Sequence, residues 1–466
     1  MPDERFADHL SFPRAQDHEP AGASHGVAGG ALCGDLITIA LVVEGQTVTE
    51  AGFTASGCGA SIAAGSAVVE LVEGAELLEA ARIGTPEVSA ALGGLSTGKL
   101  HAADLAADAM HQALGRAARA HAQLVPDPER ILVAMSGGVD SAVAALHCGP
   151  RAVAVTLELW RDAENDAERS CCSASAVRAA RRVAHDMGLA HFTLDLREEF
   201  RAGVVDPWLA DHARGLTPNP CVRCNGHVRL DAMLAFADRL GAPVLATGHY
   251  ARTTEDGLVR QAADPAKDQS YMLARLDPAT TRRLRFPLGD RTKPEVRAEA
   301  ERARISVARK PDSQDLCFLA GTGKERFLAR HGAQRELPGD VVDRAGRPLG
   351  RHRGAHAYTV GQRRGLGVGG AGEPLYVLET DVNANTVTVG PREQLATTTV
   401  RVTGTVLHRP AGRVDHVRLR SHGRALAAGL HRDLLELEAP VAGAAPGQLA
   451  CLLEGDVVVG YATITR

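Results

Sequence analysis

The sequence predicts an α/β protein: a doubly wound parallel sheet, preceded by an α+β domain and followed by two small β domains. Three observations lead there. Between about residues 130 and 247, short apolar strands alternate with helical stretches, the pattern of a parallel sheet with crossover helices. The first of those strands runs into a glycine-rich turn, SGGVDS, that opens a helix. After about Phe327 the helical period gives way to Gly, Pro and short β-branched runs. The length of 466 residues suits three or four domains at roughly 100–200 residues each. The expected boundaries are 1–125, 129–326, 327–392 and 393–466.

Taken in order, Leu36–Val43 alternates and predicts a strand, and Leu105–Ala122 predicts an Ala-rich helix. Val125-Pro126-Asp127-Pro128 ends it, because proline lacks the donor a helix needs. Strands follow at Ile131–Met135 and near Arg151–Leu157, His191–Asp195 and Val244–Thr247, with helices over Ala174–Met187 and Leu230–Leu240. Later β runs are Tyr376–Leu378, Thr386–Val389, Thr398–Leu407, Ala450–Leu453 and Asp456–Thr463. With 3% aromatic residues, the cores must be built from Ala, Val and Leu. No run reaches the ~20 apolar residues of a membrane helix. The start, MPDERFADH, is acidic where a secretory leader would be basic and then apolar. A cytoplasmic protein without a membrane partner is expected.

The net charge of −4 hides an asymmetry. Up to Val125 there are 6 basic and 15 acidic residues, whereas Asp343–Arg424 holds 13 arginines and 6 acidic residues. The later segment suits a polyanion such as RNA; the first does not.

Ser136-Gly137-Gly138-Val139-Asp140-Ser141 follows the apolar strand that ends at Ala134-Met135. Two glycines let successive N–H groups face one anion, and the helix N-terminus adds a favourable dipole. Ser136 and Ser141 offer hydroxyls to phosphate oxygens, and Asp140 is a candidate ligand for Mg²⁺. A Walker loop would end in Gly-Lys-Ser/Thr, which is missing here. The motif resembles the PP-loop of ATP pyrophosphatases, which implies ATP as cofactor and cleavage between its α- and β-phosphates.

The chain has nine cysteines, and without an export signal they point to metal or thiol chemistry. Thr217-Pro218-Asn219-Pro220-Cys221-Val222-Arg223-Cys224-Asn225 is a proline-stiffened loop with a Cys-x-x-Cys, and KPDSQDLCF (Lys310–Phe318) adds Cys317. These blocks, with ATGHYAR (Ala246–Arg252), KDQSYML (Lys267–Leu273) and GQRRGLGVGG (Gly361–Gly370), resemble in order the signatures of MnmA-type tRNA-specific 2-thiouridylases over residues 130–466. The resemblance implies adenylation of the C2 oxygen of a wobble uridine in tRNA, then replacement of that oxygen by sulfur. It assigns ATP to Ala134, Met135, Ser136, Gly137, Gly138, Val139, Asp140 and Ser141, with Leu157 and Gly248 on the adenine side. Cys317 matches the cysteine that carries a persulfide, received from a donor such as a cysteine desulfurase or sulfur relay protein. Cys224 matches the cysteine that releases sulfur by forming a disulfide bond with it. Each step needs a thiolate, which Arg223 or Lys310 can favour. Many family members carry Asp where this chain has Cys221. Cys221, Cys224 and Cys317 can therefore also ligate a 4Fe–4S cluster with one iron open. A cluster, a thiol pair and a zinc half-site remain open at this point.

By the same resemblance, Lys267, Asp268 and Gln269 contact tRNA, His249 lies near the target base, and Gln448 is a contact in the last domain. Asn219, Pro220 and Cys221 line the pocket of a flipped uridine, since C2 is unreachable in a stacked loop. Arg351, Arg353, Arg363 and Arg364 are candidate phosphate ligands. Cys171-Cys172 lies beside the substrate loop, and Cys148 and Cys451 are read as structural.

Residues 8–122 resemble the NifU and IscU iron–sulfur scaffolds. Cys33 and Asp35 stand in a CGD turn, Cys58 in GCG, and His101 precedes Ala102 where the family has its third cysteine. An IscU-like domain with Cys33, Asp35, Cys58 and His101 as a mixed-ligand metal site, a zinc or transient iron site, and a degenerate docking module all fit. The function expected is ATP-dependent tRNA 2-thiolation. The alternative is an iron–sulfur cluster assembly or carrier protein with a regulatory PP-loop domain, and a third reading is a PP-loop enzyme acting on another substrate, against which KDQSYML and GQRRGLGVGG argue.

Overall fold

The computed structural model describes residues 2–30, 34–161, 174–312, 316–319, 321–332, 337–368 and 373–465. Cys33, Cys171, Cys172, Ser313–Asp315 and the end of the GQRRGLGVGG block therefore lie outside the described residues.

The N-terminal part is an antiparallel sheet of Ser24–Gly29, Leu36–Glu44 and Thr47–Ser56 in that order. The expected strand at 36–43 is its centre. Its apolar face (Ile37, Ile39, Leu41) is covered by the helices Gly59–Val72 and Leu100–His121. The latter starts five residues before the expected Leu105, because Ala102 and Ala103 are fully buried with the rest of its inner face.

Next comes the parallel sheet, ordered Leu284–Arg285, Val244–Thr247, Ile131–Ala134, Ala152–Glu158, Ala190–Asp195. Its strands are buried on both faces, so they read as continuous apolar runs. The chain leaves the central strand Ile131–Ala134 toward one side and later returns to the other. That reversal opens a crevice at the strand C-termini, where open α/β sheets bind ligands. Two single π-helical turns, Arg201–Val205 and Asn225–Arg229, bracket the cysteine loop; such turns cluster at functional sites and leave no simple sequence trace.

The first two units share one apolar core rather than meeting as separate bodies. Helix Leu100–His121 lies on the last strand, Ala190–Asp195, so closely that a Cβ on Gly115 would stand 2.0 Å from the Thr193 carbonyl. The His191 amide donates to Ala81 O (2.9 Å), and Arg119 donates to Asp195 O (2.9 Å). Beside them, buried Asp108 pairs with Arg178 and Arg181. Rings of His111, His185 and His191 gather there with centroids 5.4–6.4 Å apart.

Downstream, a four-stranded sheet is ordered Pro348–His352, Gly339–Val342, Thr386–Gly390, Tyr376–Asp381. The last part is a barrel: Ala396–Leu407 pairs with both Leu434–Ala442 and Val457–Ile464, which closes the sheet. Two short strands from the α/β segment, Arg252–Thr253 and Val259–Arg260, join it through the Val457–Arg260 pair. Among the described residues no helix is long and apolar enough to cross a membrane.

Candidate functional site

The crevice begins at the strand Ile131–Ala134. Gly137 turns the chain at φ +70° and Gly138 precedes the helix Val139–Cys148, so the loop N–H groups converge ahead of a helix N-terminus. The loop is held by its own serines: Ser136 N donates to Ser141 Oγ (3.1 Å), and Ser141 Oγ donates to Gly138 O (3.0 Å). Gly248, at the end of the neighbouring strand, closes against the loop. A Cβ there would meet Ser141 N at 2.8 Å and the Asp140 carbonyl carbon at 2.9 Å. Leu157 is the last residue but one of the strand Ala152–Glu158 on the other side.

Asp140, the expected Mg²⁺ ligand, is engaged by two side chains from elsewhere in the chain. Both accept from Lys293 Nζ at 2.7 Å, and Oδ1 also accepts from Tyr250 OH at 2.8 Å. In this arrangement Asp140 accepts from an ammonium and a phenol. The same Lys293 reaches Asp312 (2.8 Å), which also binds Lys267 (2.8 Å) and Arg297 (2.8 Å). Burial alone would raise the Asp312 carboxyl, but Lys267 and Lys293 override it and bring it down to about 2. Asp312 stands five residues before Cys317, a reach of at most about 17 Å even for extended chain. Lys310, expected as an activator of a cysteine, instead donates to Gly137 O (2.9 Å).

Asn219 caps the helix Pro220–Cys224, its Oδ1 accepting from the Cys221 amide (3.0 Å), with Pro220 buried in the first turn. A single helical turn thus carries Cys221 and Cys224 at i and i+3, on one face. Cys224 is buried, and Cys221 and Cys317 are half-buried. Cys317 packs against the core that contains Cys224, beside Phe318, whose ring meets Phe200, Trp208 and Phe327. The three sulfurs do not all lie within 4.8 Å of one another, so they do not form a preformed site for one ion.

The expected RNA contacts divide. His249 sits at the crevice, its Nδ1 2.8 Å from Thr247 Oγ1. Burial, then Arg229, push it down to about 3, so it is neutral. Lys267 is turned to Asp312, and Gln269 Oε1 accepts from the Tyr250 amide (2.9 Å). Asp268 departs from its expected role: its side chain is only 4% exposed, pairs with Arg418 and accepts from Ser270 and the Ala262 amide. It locks the barrel to the α/β unit. Gln448 is likewise committed, its Nε2 donating to Thr217 O (2.9 Å) while Thr217 N donates to Pro446 O (2.8 Å).

In the N-terminal unit Asp35, Cys58 and His101 form a compact cluster. Asp35 Oδ2 is 2.9 Å from His101 Nε2 and 3.3 Å from Cys58 Sγ, and Cys58 Sγ is 4.0 Å from Nε2. The Cys58 amide, then His101, hold the Asp35 carboxyl low, and Asp35 in turn raises His101. Gly57 allows this closure, as a Cβ there would meet Asp35 Oδ1 at 2.0 Å. A carboxylate, a thiol and an imidazole are a donor set that fits Zn²⁺ or iron. Half-buried Cys148 and buried Cys451 are pushed up to about 11 and about 12 by desolvation.

Sequence reasoning missed Lys293, Asp312, Arg297, Tyr250 and Arg418. Lys293 opens the helix Lys293–Arg302 behind a Thr292–Glu295 capping box, a readable start signal, but its partners are distant in the chain.

Three family models match: a NifU-like N-terminal domain over residues 3–122, a tRNA methyl transferase HUP domain over 129–321, and the corresponding PRC-barrel domain over 325–391. A "Bifunctional protein NifU/MnmA" of Rubrobacter xylanophilus is 42% identical over 99% of this chain and 98% of its own length. The "tRNA-specific 2-thiouridylase MnmA" of Salinispora arenicola is 46% identical over 72% of this chain and 98% of its own, and that of Thermobifida fusca is 43% identical over 72% and 96%.

Proposed function

This chain belongs to the tRNA-specific 2-thiouridylase family, in the form fused to a NifU-like domain, and from that premise we propose how its own residues carry the reaction. It is an enzyme of tRNA 2-thiolation that uses ATP. The observation that carries the residue-level reading is the Asp140–Lys293–Asp312 chain of ion pairs, which ties the phosphate loop to the segment bearing Cys317.

In this reading the loop Ser136–Ser141 holds the phosphates of ATP, and Leu157 and Gly248 border the adenine. A wobble uridine, turned out of its stack, enters beside Asn219, Pro220 and Cys221. Neutral His249 offers a hydrogen bond without adding charge. The uridine O2 attacks the α-phosphate, and pyrophosphate leaves. The terminal sulfur of a Cys317 persulfide then attacks C2 and displaces AMP. Cys224 thiolate attacks the Cys317 sulfur, releasing 2-thiouridine and leaving a Cys224–Cys317 disulfide that an external dithiol must reduce. Magnesium arrives as the counter-ion of ATP, part of the substrate, and Asp140 is not assigned to it. The persulfide sulfur comes from a donor protein of the cysteine desulfurase or sulfur-relay class.

A second sulfur route is favoured by one observation, the third thiol, Cys221, one turn from Cys224 on a common face. Cys221, Cys224 and Cys317 would hold a 4Fe–4S cluster, and a cluster with an open iron supplies sulfide in place of the persulfide. The NifU-like unit supports this route, with Asp35, Cys58 and His101 as metal ligands. Iron and acid-labile sulfide in anaerobically purified protein distinguish the two: a stoichiometric cluster lost in Cys221→Ser selects the second, its absence from active enzyme the first. Nucleoside mass analysis of tRNA incubated with protein, ATP, Mg²⁺ and a cysteine desulfurase with cysteine as the persulfide donor tests the whole reading. Formation of 2-thiouridine by the parent and not by Cys224→Ser or Cys317→Ser is expected, and thiolation by the double variant would overturn the roles of both cysteines.

A further inference from the structure

A triphosphate needs cations, and the loop Ser136–Ser141 contains none; its single ionisable side chain is the anionic Asp140. In a Walker loop the lysine sits within the loop. Here two lysines arrive from elsewhere. Lys310 Nζ lies 2.9 Å from Gly137 O, at the left-handed turn of the loop. Lys293 Nζ lies 2.7 Å from both Asp140 oxygens, its side chain 10% exposed.

Composition sharpens the point. The chain has five lysines among its 52 basic residues; two of the five, Lys293 and Lys310, reach this loop, and a third, Lys267, pairs with the Asp312 that also holds Lys293. Lysine is a compact point charge suited to phosphate oxygens, where arginine is a planar fork. The wiring also leaves Lys293 able to turn. Asp312 keeps Lys267 and Arg297, and Asp140 keeps the Tyr250 hydroxyl, when Lys293 moves to a phosphate.

We propose that Lys293 and Lys310 touch the β- and γ-phosphates of ATP and stabilise pyrophosphate as it leaves, supplying the charge the loop lacks. The proposal rests on the ATP-dependent reading above and adds to it two catalytic side chains. In the step concerned, the bond from uridine O2 to the α-phosphorus forms and the bond from that phosphorus to the bridging oxygen breaks. The electron pair departs with pyrophosphate, and the uridine N3 proton passes to solvent. Negative charge grows on the bridging and β-phosphate oxygens, where fixed ammonium groups act most strongly.

The test uses the full chain and a tRNA with a wobble uridine. Pyrophosphate release in a single turnover is measured at saturating ATP and tRNA for the parent, Lys310→Met, Lys310→Arg and Lys293→Met, with tRNA affinity measured separately. Removing one such group is expected to slow release roughly 10²-fold or more, with tRNA affinity unchanged and partial recovery in Lys310→Arg. Lys310 is exposed, so its variant carries the test even where Lys293→Met fails to fold. Release by Lys310→Met at the parent rate overturns the proposal. So does a loss that saturating tRNA erases, which makes Lys310 an RNA ligand. A parent that releases no pyrophosphate with tRNA defeats the ATP-dependent reading instead, a separate result.

Discussion

The Gln448 side-chain amide donates to the Thr217 carbonyl at 2.9 Å, so a residue of the barrel holds the segment that leads into Cys221 and Cys224. The backbone adds a second tie from Thr217 N to Pro446 O. Gln448→Ala leaves the Thr217 carbonyl short of a donor, a loss of about 1–3 kcal/mol. A lower melting temperature and slower 2-thiouridine formation, with unchanged ATP affinity, are the expected outcome. Calorimetric melting and ATP titration check it.

Gly248 faces the phosphate loop with no room for a side chain. The added methyl of Gly248→Ala must push the backbone of Asp140 and Ser141 aside, because the atoms it meets are main chain. ATP affinity is expected to fall by about tenfold, or 1.4 kcal/mol, with little change in tRNA binding. Isothermal titration of the two ligands reads both.

The buried Arg418–Asp268 pair joins barrel and α/β unit. Arg418→Met strands a carboxylate that is 4% exposed, and breaking such a pair from one side costs about 3–5 kcal/mol. The double variant Arg418→Met, Asp268→Asn should recover much of that, measured by urea unfolding.

His111, His185 and His191 meet where the N-terminal helix lies on the parallel sheet. Burial, reinforced by the Arg181 charge, holds all three below their ordinary value, and Asp108 is already committed to Arg178 and Arg181. The unfolded chain therefore takes up protons below about pH 6.5 that the folded one refuses. Stability should fall as pH drops from 7 toward 5, at up to about 1.4 kcal/mol per pH unit for each imidazole. His185→Gln removes one of the three, with Glu87 and Asp186 nearby left unchanged. Its unfolding free energy should show a shallower pH slope than the parent's.

The Asp35–Cys58–His101 cluster should bind Zn²⁺ or Fe²⁺ without help from residue 102. His101→Ala is expected to weaken binding by about 10–100-fold, followed by competition with a chromophoric chelator, while tRNA thiolation with a cysteine desulfurase and cysteine as donor stays at the parent level.

Much of this was legible beforehand. The alternation of strands and helices gave four of the five sheet strands to within a residue or two, and Val244–Thr247 has the expected limits, because fully buried parallel strands are apolar throughout; the two-residue edge strand Leu284–Arg285 was not read. The segment of Cys221 and Cys224 reads in sequence as a proline-stiffened loop, whereas it forms the short helix Pro220–Cys224, with Asn219 capping it and Pro220 in its first turn. What stayed hidden is pairing over long chain separations. Lys293 finds Asp140 across 153 residues and Gln448 finds Thr217 across 231, and no local pattern marks either. Asp268 shows the opposite error: a charged residue in a polar block reads as a surface contact until its arginine appears from another domain. The strands Arg252–Thr253 and Val259–Arg260 are too short to carry a period and were invisible for that reason.

The fit of helix Leu100–His121 on the strand Ala190–Asp195 has a consequence for how the gene product can be divided. An outermost strand exposes a row of unsatisfied amides and carbonyls that recruits other chains into aggregates. Here the fused unit spends Ala81, Gly115 and Arg119 on sealing that margin. A version trimmed to begin near residue 126 would lose this protection along with the apolar contacts of a common interior. The fused unit thus covers a strand margin that the parallel sheet would otherwise present to solvent.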